Sequence, residues 1–253
     1  MPSGRPHYDH RKHAGNAGDV WKHFILAEVA DYLLSERKML TYIESHVGYP
    51  RYNLSSSGEW EGGIARCWPH ISALEVFSYF QLIRDMNHLG LVCYPGSTDI
   101  VMAIARKQCS DIDVEIWDID PNVAASWHGD SRVKFHLEDG FMGVLSILDR
   151  SPPGIILIDP PYIGENDIRK ALNLLSHAEK AGWVVLWWQM DGKETAPEAG
   201  LRKYTLRFSD VSLNCDRWLG ATMAVAGADA HLIKHMETQV HRFLDMAQNQ
   251  KSF

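Results

Sequence analysis

The sequence predicts an α/β protein built on a mostly parallel seven-stranded sheet, with an antiparallel edge strand and a helical insertion. Three observations carry this. Seven short apolar stretches rich in β-branched and aromatic residues are spread along the chain, helical patterns separate several of them in βαβ fashion, and the first four end in acidic or polar clusters. In open parallel sheets such strand ends are where ligands bind.

From Asp19 to Leu34 the apolar positions Val20, Phe24, Ala27, Val29, Ala30 and Leu33 follow helical spacing, and Asp19 is expected as the N-cap. "MLTYIESHVG" (39–48) then reads as the first strand. Between Asn53 and Leu91 a polar loop, "NLSSSGEW", leads into a segment whose Leu74, Phe77, Leu82 and Ile83 mark a helical insertion packed on the main domain. The remaining strands are "VEIWD" (114–118), "RVKFHL" (132–137), "GIILID" (154–159), "WVVLWWQ" (183–189), "KYTLRF" (203–208) and "ATMAVAG" (221–227). Helices are expected at Thr98 to Lys107, Phe141 to Leu148 and Asn166 to Ala181. The last two strands follow one another with little helix between them, as an antiparallel hairpin at a sheet edge would. Residues 1–253 read as one domain, with 53–91 as an insertion subdomain within it.

Apolar residues make up 45% and charged residues 23% of the 253, the balance of a globular protein. No run is long enough to span a membrane, and the N-terminal segment lacks the apolar core of a signal peptide, so a cytoplasmic protein is expected. Four irregularly spaced cysteines (Cys67, Cys93, Cys109, Cys215) form no CxxC pair and are expected as reduced, buried thiols. A net charge of −7 opposes phosphate binding unless a local patch compensates. Arg5, Arg11, Lys12 and Lys22, with several histidines, make the first segment the candidate patch.

Acids at strand ends suit a nucleoside-containing cofactor: a carboxylate after the second strand can accept both ribose hydroxyls, with Asp118 the first choice and Asp120 the second. No G-x-x-x-x-G-K-[ST] loop is present to bind ATP in the P-loop manner. "IDPPY" (158–162) asks for more than a turn. Two prolines make a rigid bend that aims the Asp159 carboxylate and the Pro160 carbonyl one way, so both can accept the N–H groups of an exocyclic aromatic amine. Tyr162 adds a face on which a planar base can stack.

"HAGNAGDVWKH" (13–23), "ESHVGYPRY" (44–52), "GEWEGGIAR" (58–66), "YPGS" (94–97), "EDGF" (138–141) and "LIDPPY" (157–162), with a looser echo in "DRWLGATMAV" (216–225), stand in an order that resembles the RlmJ-type large-subunit ribosomal RNA adenine N6-methyltransferases. The resemblance implies a Rossmann-like methyltransferase sheet, S-adenosylmethionine as cofactor and ribosomal RNA as substrate. It implies cofactor contacts at Lys22, His23, His46, Ser97, Asp118, Asp139, Gly140 and Asp159. It also implies an acceptor site at Asp159, Pro160 and Tyr162, with His10 on the acceptor side and no metal. The loop Glu44 to Pro50 departs from the family pattern D-T-H-A-G-x-G by a proline at its second glycine; proline removes an N–H and fixes φ. Alternatives are an N-methyltransferase for another planar amine in DNA or a small molecule, a non-catalytic RNA-binding relative, and a zinc site at His7, His10, His13 and His23.

Overall fold

The structure, a computed structural model, describes residues 10–54, 56–161, 166–190 and 201–249, with the side chains of all but His10, Arg11 and Asn249. In chain order the helices are α1 His10–His13, α2 Ala17–Glu36, α3 Ile64–Cys67, α4 Ile71–Leu74, α5 Ser78–Met86, α6 Ser97–Lys107, α7 Pro121–Trp127, α8 Gly140–Ile147, α9 Asp167–Lys180 and α10 Ala230–Asn249. The strands are β1 Met39–Glu44, β2 Arg51–Asn53, β3 Cys93–Pro95, β4 Asp111–Asp118, β5 Val133–Leu137, β6 Ile155–Ile158, β7 Val184–Met190, β8 Arg202–Arg207 and β9 Gly220–Ala226.

Seven strands form one sheet in the order β5-β4-β1-β6-β7-β9-β8. The five from β5 to β7 are parallel; β9 runs against both neighbours, so the reversed strand lies one position inside the β8 edge. Period-two alternation divides each central strand between two apolar clusters, one on each face. Leu40, Tyr42, Ile155, Leu157, Val184 and Leu186 face α2 and its neighbours. Ile43, Ile156, Ile158, Val185 and Trp187 face α8 and α9.

Helix α2 is apolar on nearly all sides because it is covered on nearly all sides: it packs against the sheet, α5, α6 and α10. Phe24 stacks on Phe243 of α10 with ring centroids 4.8 Å apart and meets Phe77 edge-on at 5.3 Å. Its N-cap is Asn16 rather than Asp19. The Asn16 Oδ1 accepts the Asp19 N–H at 2.9 Å, which turns the Asp19 carboxylate back to accept the Gly15 N–H, also at 2.9 Å. Helix α10 is absent from the sequence expectations, although Leu232, Met236 and Phe243 recur at helical spacing and are buried. Of the cysteines, all free, Cys67 alone is buried and Cys109 is exposed, contrary to the expectation of buried thiols.

The segment between β2 and β3 forms short helices, and Leu74, Phe77 and Ile83 are buried as their spacing predicts. It leaves and returns through the antiparallel β2–β3 pair. Asn87, 2% exposed, closes this return. Its Nδ2 donates to the carbonyls of Ile83 (2.8 Å) and Cys93 (3.0 Å), and its Oδ1 accepts the N–H groups of Val92 and Cys93, both at 2.9 Å. Asn87→Ala would remove all four bonds, one of them fully buried and three part-buried, at roughly 0.5–1.5 kcal/mol each. We expect a loss of about 3 kcal/mol or more in denaturant unfolding; a change below about 1 kcal/mol would show that water replaces the amide.

Candidate active site

The chain lays down β1, β4 and β5 outward in one direction, then returns to place β6 and β7 on the other side of β1, so the strand order reverses between β1 and β6. Beyond the carboxyl ends of these strands lies a cavity of about 800 Å³, the position where an open α/β sheet binds its ligand. Acidic side chains outnumber basic ones in its lining.

On one side stands the start of α2. The Lys22 ammonium, 2.6 Å from Asp159 Oδ2 and 2.9 Å from Asp19 Oδ1, joins the helix to the end of β6. Burial favours the neutral amine, but the two carboxylates outweigh it and hold Lys22 well above its ordinary range. Pro160 is buried and Pro161 exposed, both in the cavity wall. His23, one residue further along α2, points instead to the core. Its Nδ1 lies 2.8 Å from the Tyr94 hydroxyl, which meets the Tyr79 hydroxyl at 2.9 Å, and burial pushes its pKa down to about 3.

On the other side stands the end of β1. Glu44, 1% exposed, accepts hydroxyl hydrogens from Tyr42 (2.8 Å), Ser97 (2.5 Å) and Thr98 (2.7 Å), and burial pushes its carboxyl up to about 7. His46 meets Phe141 edge-on at 4.6 Å and burial lowers it to about 4. Asp118 accepts the Asp120 N–H at 2.7 Å, and burial raises it to about 6. Asp120 caps α7 by accepting the Asn122 N–H. Asp139 caps α8 through the Met142 N–H and pairs with Lys170 at 3.0 Å. Gly140 has no alternative: an ideal Cβ there would sit 1.5 Å from the Ser45 carbonyl oxygen.

Lys22, His23, His46, Ser97, Asp118, Asp139, Gly140, Asp159 and Pro160 thus all line one cavity. Lys22 touches the Asp159 side, Ser97 presents its hydroxyl to Glu44, and the first-segment basic patch loses Lys22 to a buried ion pair. Tyr162 lies outside the described residues, as does the His10 side chain. Two members of the alternative zinc set are engaged elsewhere, His13 at 2.8 Å from Glu59 and His23 with Tyr94. Pro50 is accommodated by its neighbours: its carbonyl accepts the Gly96 N–H at 2.8 Å, and Gly96 lets the Tyr49 carbonyl pass where a Cβ would stand 2.3 Å away.

Sequence reasoning missed Glu44, Asn16, Trp188, Arg217 and Trp218 as cavity residues. Glu44 opens and Arg217–Trp218 lies within quoted motifs; Trp188 was hidden inside an apolar strand.

The sheet order and the strand-end cavity define a Rossmann-like methyltransferase fold. A crystal structure of protein LPL1258 from Legionella pneumophila shares it with a TM-score of 0.75 over 93% of this chain and 94% of that one, at 20% identity. The family model described as "Ribosomal RNA large subunit methyltransferase D, RlmJ" matches residues 37–199, and the chain belongs to that family. Ribosomal RNA large subunit methyltransferase J of Escherichia coli K12 is 33% identical over 196 residues, and that of Haemophilus influenzae 31% over 197; each match spans 72% of this chain and 69% of the relative.

Glu44 gives a pH test. Its folded value near 7 lies above its ordinary 4.5, so the stability it contributes is complete below pH 4.5 and is lost as pH rises through 7. Glu44→Gln should therefore gain on the parent between pH 5 and pH 8, by on the order of 1–3 kcal/mol in denaturant unfolding without ligand. An equal difference at both pH values would mean that the buried carboxyl is ionised throughout.

Proposed function

We propose that this protein methylates the exocyclic N6 amine of an adenine in large-subunit ribosomal RNA, with S-adenosylmethionine as donor. The observation that carries this reading is Asp159, held at the end of β6 by Lys22 and followed by Pro160-Pro161 in the wall of the switch-point cavity.

The residues present fit such a donor. It is a cationic nucleoside, and the lining is acidic. Asp118 ends the second strand of the main sheet, where ribose hydroxyls would bind, and its partial burial gives it reason to take new donors. Gly140 lets backbone approach closely at the neighbouring strand end. His46, Asp139, Ser97 and His23 complete the cofactor side of this reading, the last two through the Glu44 and Tyr94 contacts that shape the wall. When bound, S-adenosylmethionine supplies an electrophilic sulfonium methyl.

The chain's own part is alignment. A carboxylate has about four acceptor positions, so Asp159 can take an amine N–H alongside the Lys22 ammonium. With the second N–H on the Pro160 carbonyl, the nitrogen lone pair turns toward the methyl donor. Lys22 restrains the carboxylate, so little reorganisation is left for the reacting complex. Tyr162 and His10 complete the acceptor side in this reading.

Asp159→Asn removes the anionic acceptor and can present an NH₂ to the amine and to Lys22. Methyl transfer to protein-free ribosomal RNA at saturating cofactor should fall on the order of a hundredfold or more. Stability should fall as well, by about 1–3 kcal/mol, because Lys22 loses one of two counter-charges in a nearly dry site. Nucleoside mass spectrometry after incubation with labelled cofactor measures the first, and thermal unfolding the second. Parental rates in the Asn variant would remove Asp159 from the chemistry; N6-methyladenosine missing from the parental reaction would remove the function.

A further inference from the structure

Beyond the acceptor carboxylate, the same cavity is bordered by Arg217 and Trp218, in the connection from β8 to β9 and outside the stretch matched by the family model. The Arg217 guanidinium carbon lies 4.1 Å from the centre of the Trp218 ring, so the cation covers an indole face. Its Nη2 donates to Glu59 Oε2 at 2.7 Å. Glu59 also meets His13 Nδ1 at 2.8 Å and the Asn16 Nδ2 at 3.1 Å. Through Asn16, Asp19 and Lys22, hydrogen bonds and ion pairs run without a break from Arg217 to Asp159.

The connection is seated firmly. The Asn214 N–H donates to the Gly62 carbonyl at 2.8 Å, and a Cβ on Gly62 would stand 2.4 Å from the Asn214 carbonyl oxygen. Yet its tip is open: Arg217 and Leu219 are exposed, Trp218 is half-buried, and the indole N–H is buried with no partner among the described residues. An otherwise acidic protein thus places a cation and an aromatic face on the lining of the cavity that also holds Asp159.

We propose that Arg217 and Trp218 form a nucleotide-docking element for an unpaired RNA strand at the cavity mouth. A nucleobase takes the place of the guanidinium on the indole face, and the guanidinium moves from Glu59 to an RNA phosphate. Glu59 keeps His13 and Asn16 as partners, so the exchange leaves no isolated carboxylate. The guanidinium in the structure stands where the base would lie: both are flat, and both are attracted to an aromatic face. This rests on the reading of the protein as an RNA methyltransferase.

The test uses the full chain, protein-free large-subunit ribosomal RNA and labelled S-adenosylmethionine. Trp218→Ala should raise the KM for RNA about tenfold or more while cofactor affinity by calorimetry stays within about twofold, and Trp218→Phe should restore most of the loss. Arg217→Ala should weaken RNA binding and reduce its salt slope by about one. If the parent methylates the RNA and Trp218→Ala has the parental KM, or if Arg217→Ala leaves the salt slope intact, the docking element is wrong while the methyltransferase reading stands. A parent that binds cofactor but transfers no methyl to RNA overturns both. Should Trp218→Ala unfold, the Phe and Arg217 variants decide the matter.

Discussion

The ammonium of Lys22 sits almost out of water between Asp159 and Asp19, and the site is built around it. A buried charge with its partners removed is costly by several kcal/mol, so this ion pair constrains where the end of β6 can lie relative to α2. The constraint spreads from there. Asp19 is positioned by the Asn16 cap and the Gly15 N–H, Asn16 holds Glu59, and Glu59 brings the insertion and the β8–β9 connection to the cavity rim. The central helix thus both belongs to the core over most of its length and frames one wall of the cavity.

The opposite wall depends on close backbone approach. Ser45 leaves β1 under Gly140, and Tyr49-Pro50 passes against Gly96, with no room for a side chain at either glycine. A proline in the loop after β1 is tolerated because its carbonyl, rather than an N–H, makes the contact to Gly96. Beneath the loop, Glu44 draws three hydroxyl groups around one buried carboxyl and so ties the end of β1 to the start of α6. Three donors compensate part of its desolvation, which explains a carboxyl raised to about 7 rather than expelled to the surface.

An acidic protein in a ribosomal RNA methyltransferase family must confine its attraction for phosphate. Lys22 is taken by Asp159 and Asp19, and Lys170 by Asp139. Arg217 is also paired, with Glu59, but at a rim where that partner has other donors. Exchange of counter-charge is therefore easier there than inside the cavity, and specificity can rest on the position of a few contacts rather than on overall charge.

The seven main strands and four of the longer helices were legible in the sequence because each depends on neighbours within a few positions: short continuous apolar runs in "GIILID" or "WVVLWWQ", helical spacing from Val20 to Leu33. The strand-end acids Asp118, Asp139 and Asp159 were legible for the same reason, since they directly follow or end those runs. Helix ends were harder, because capping is decided by which side chain reaches an N–H, and Asn16 displaced Asp19 in that role. Only the tertiary structure decided the rest. Lys22 meets Asp159 across 137 positions and Arg217 meets Glu59 across 158, so no local pattern could pair them. Period and propensity are short-range properties of the chain, whereas the partner of a buried charge is chosen by the three-dimensional packing that removes water from around it.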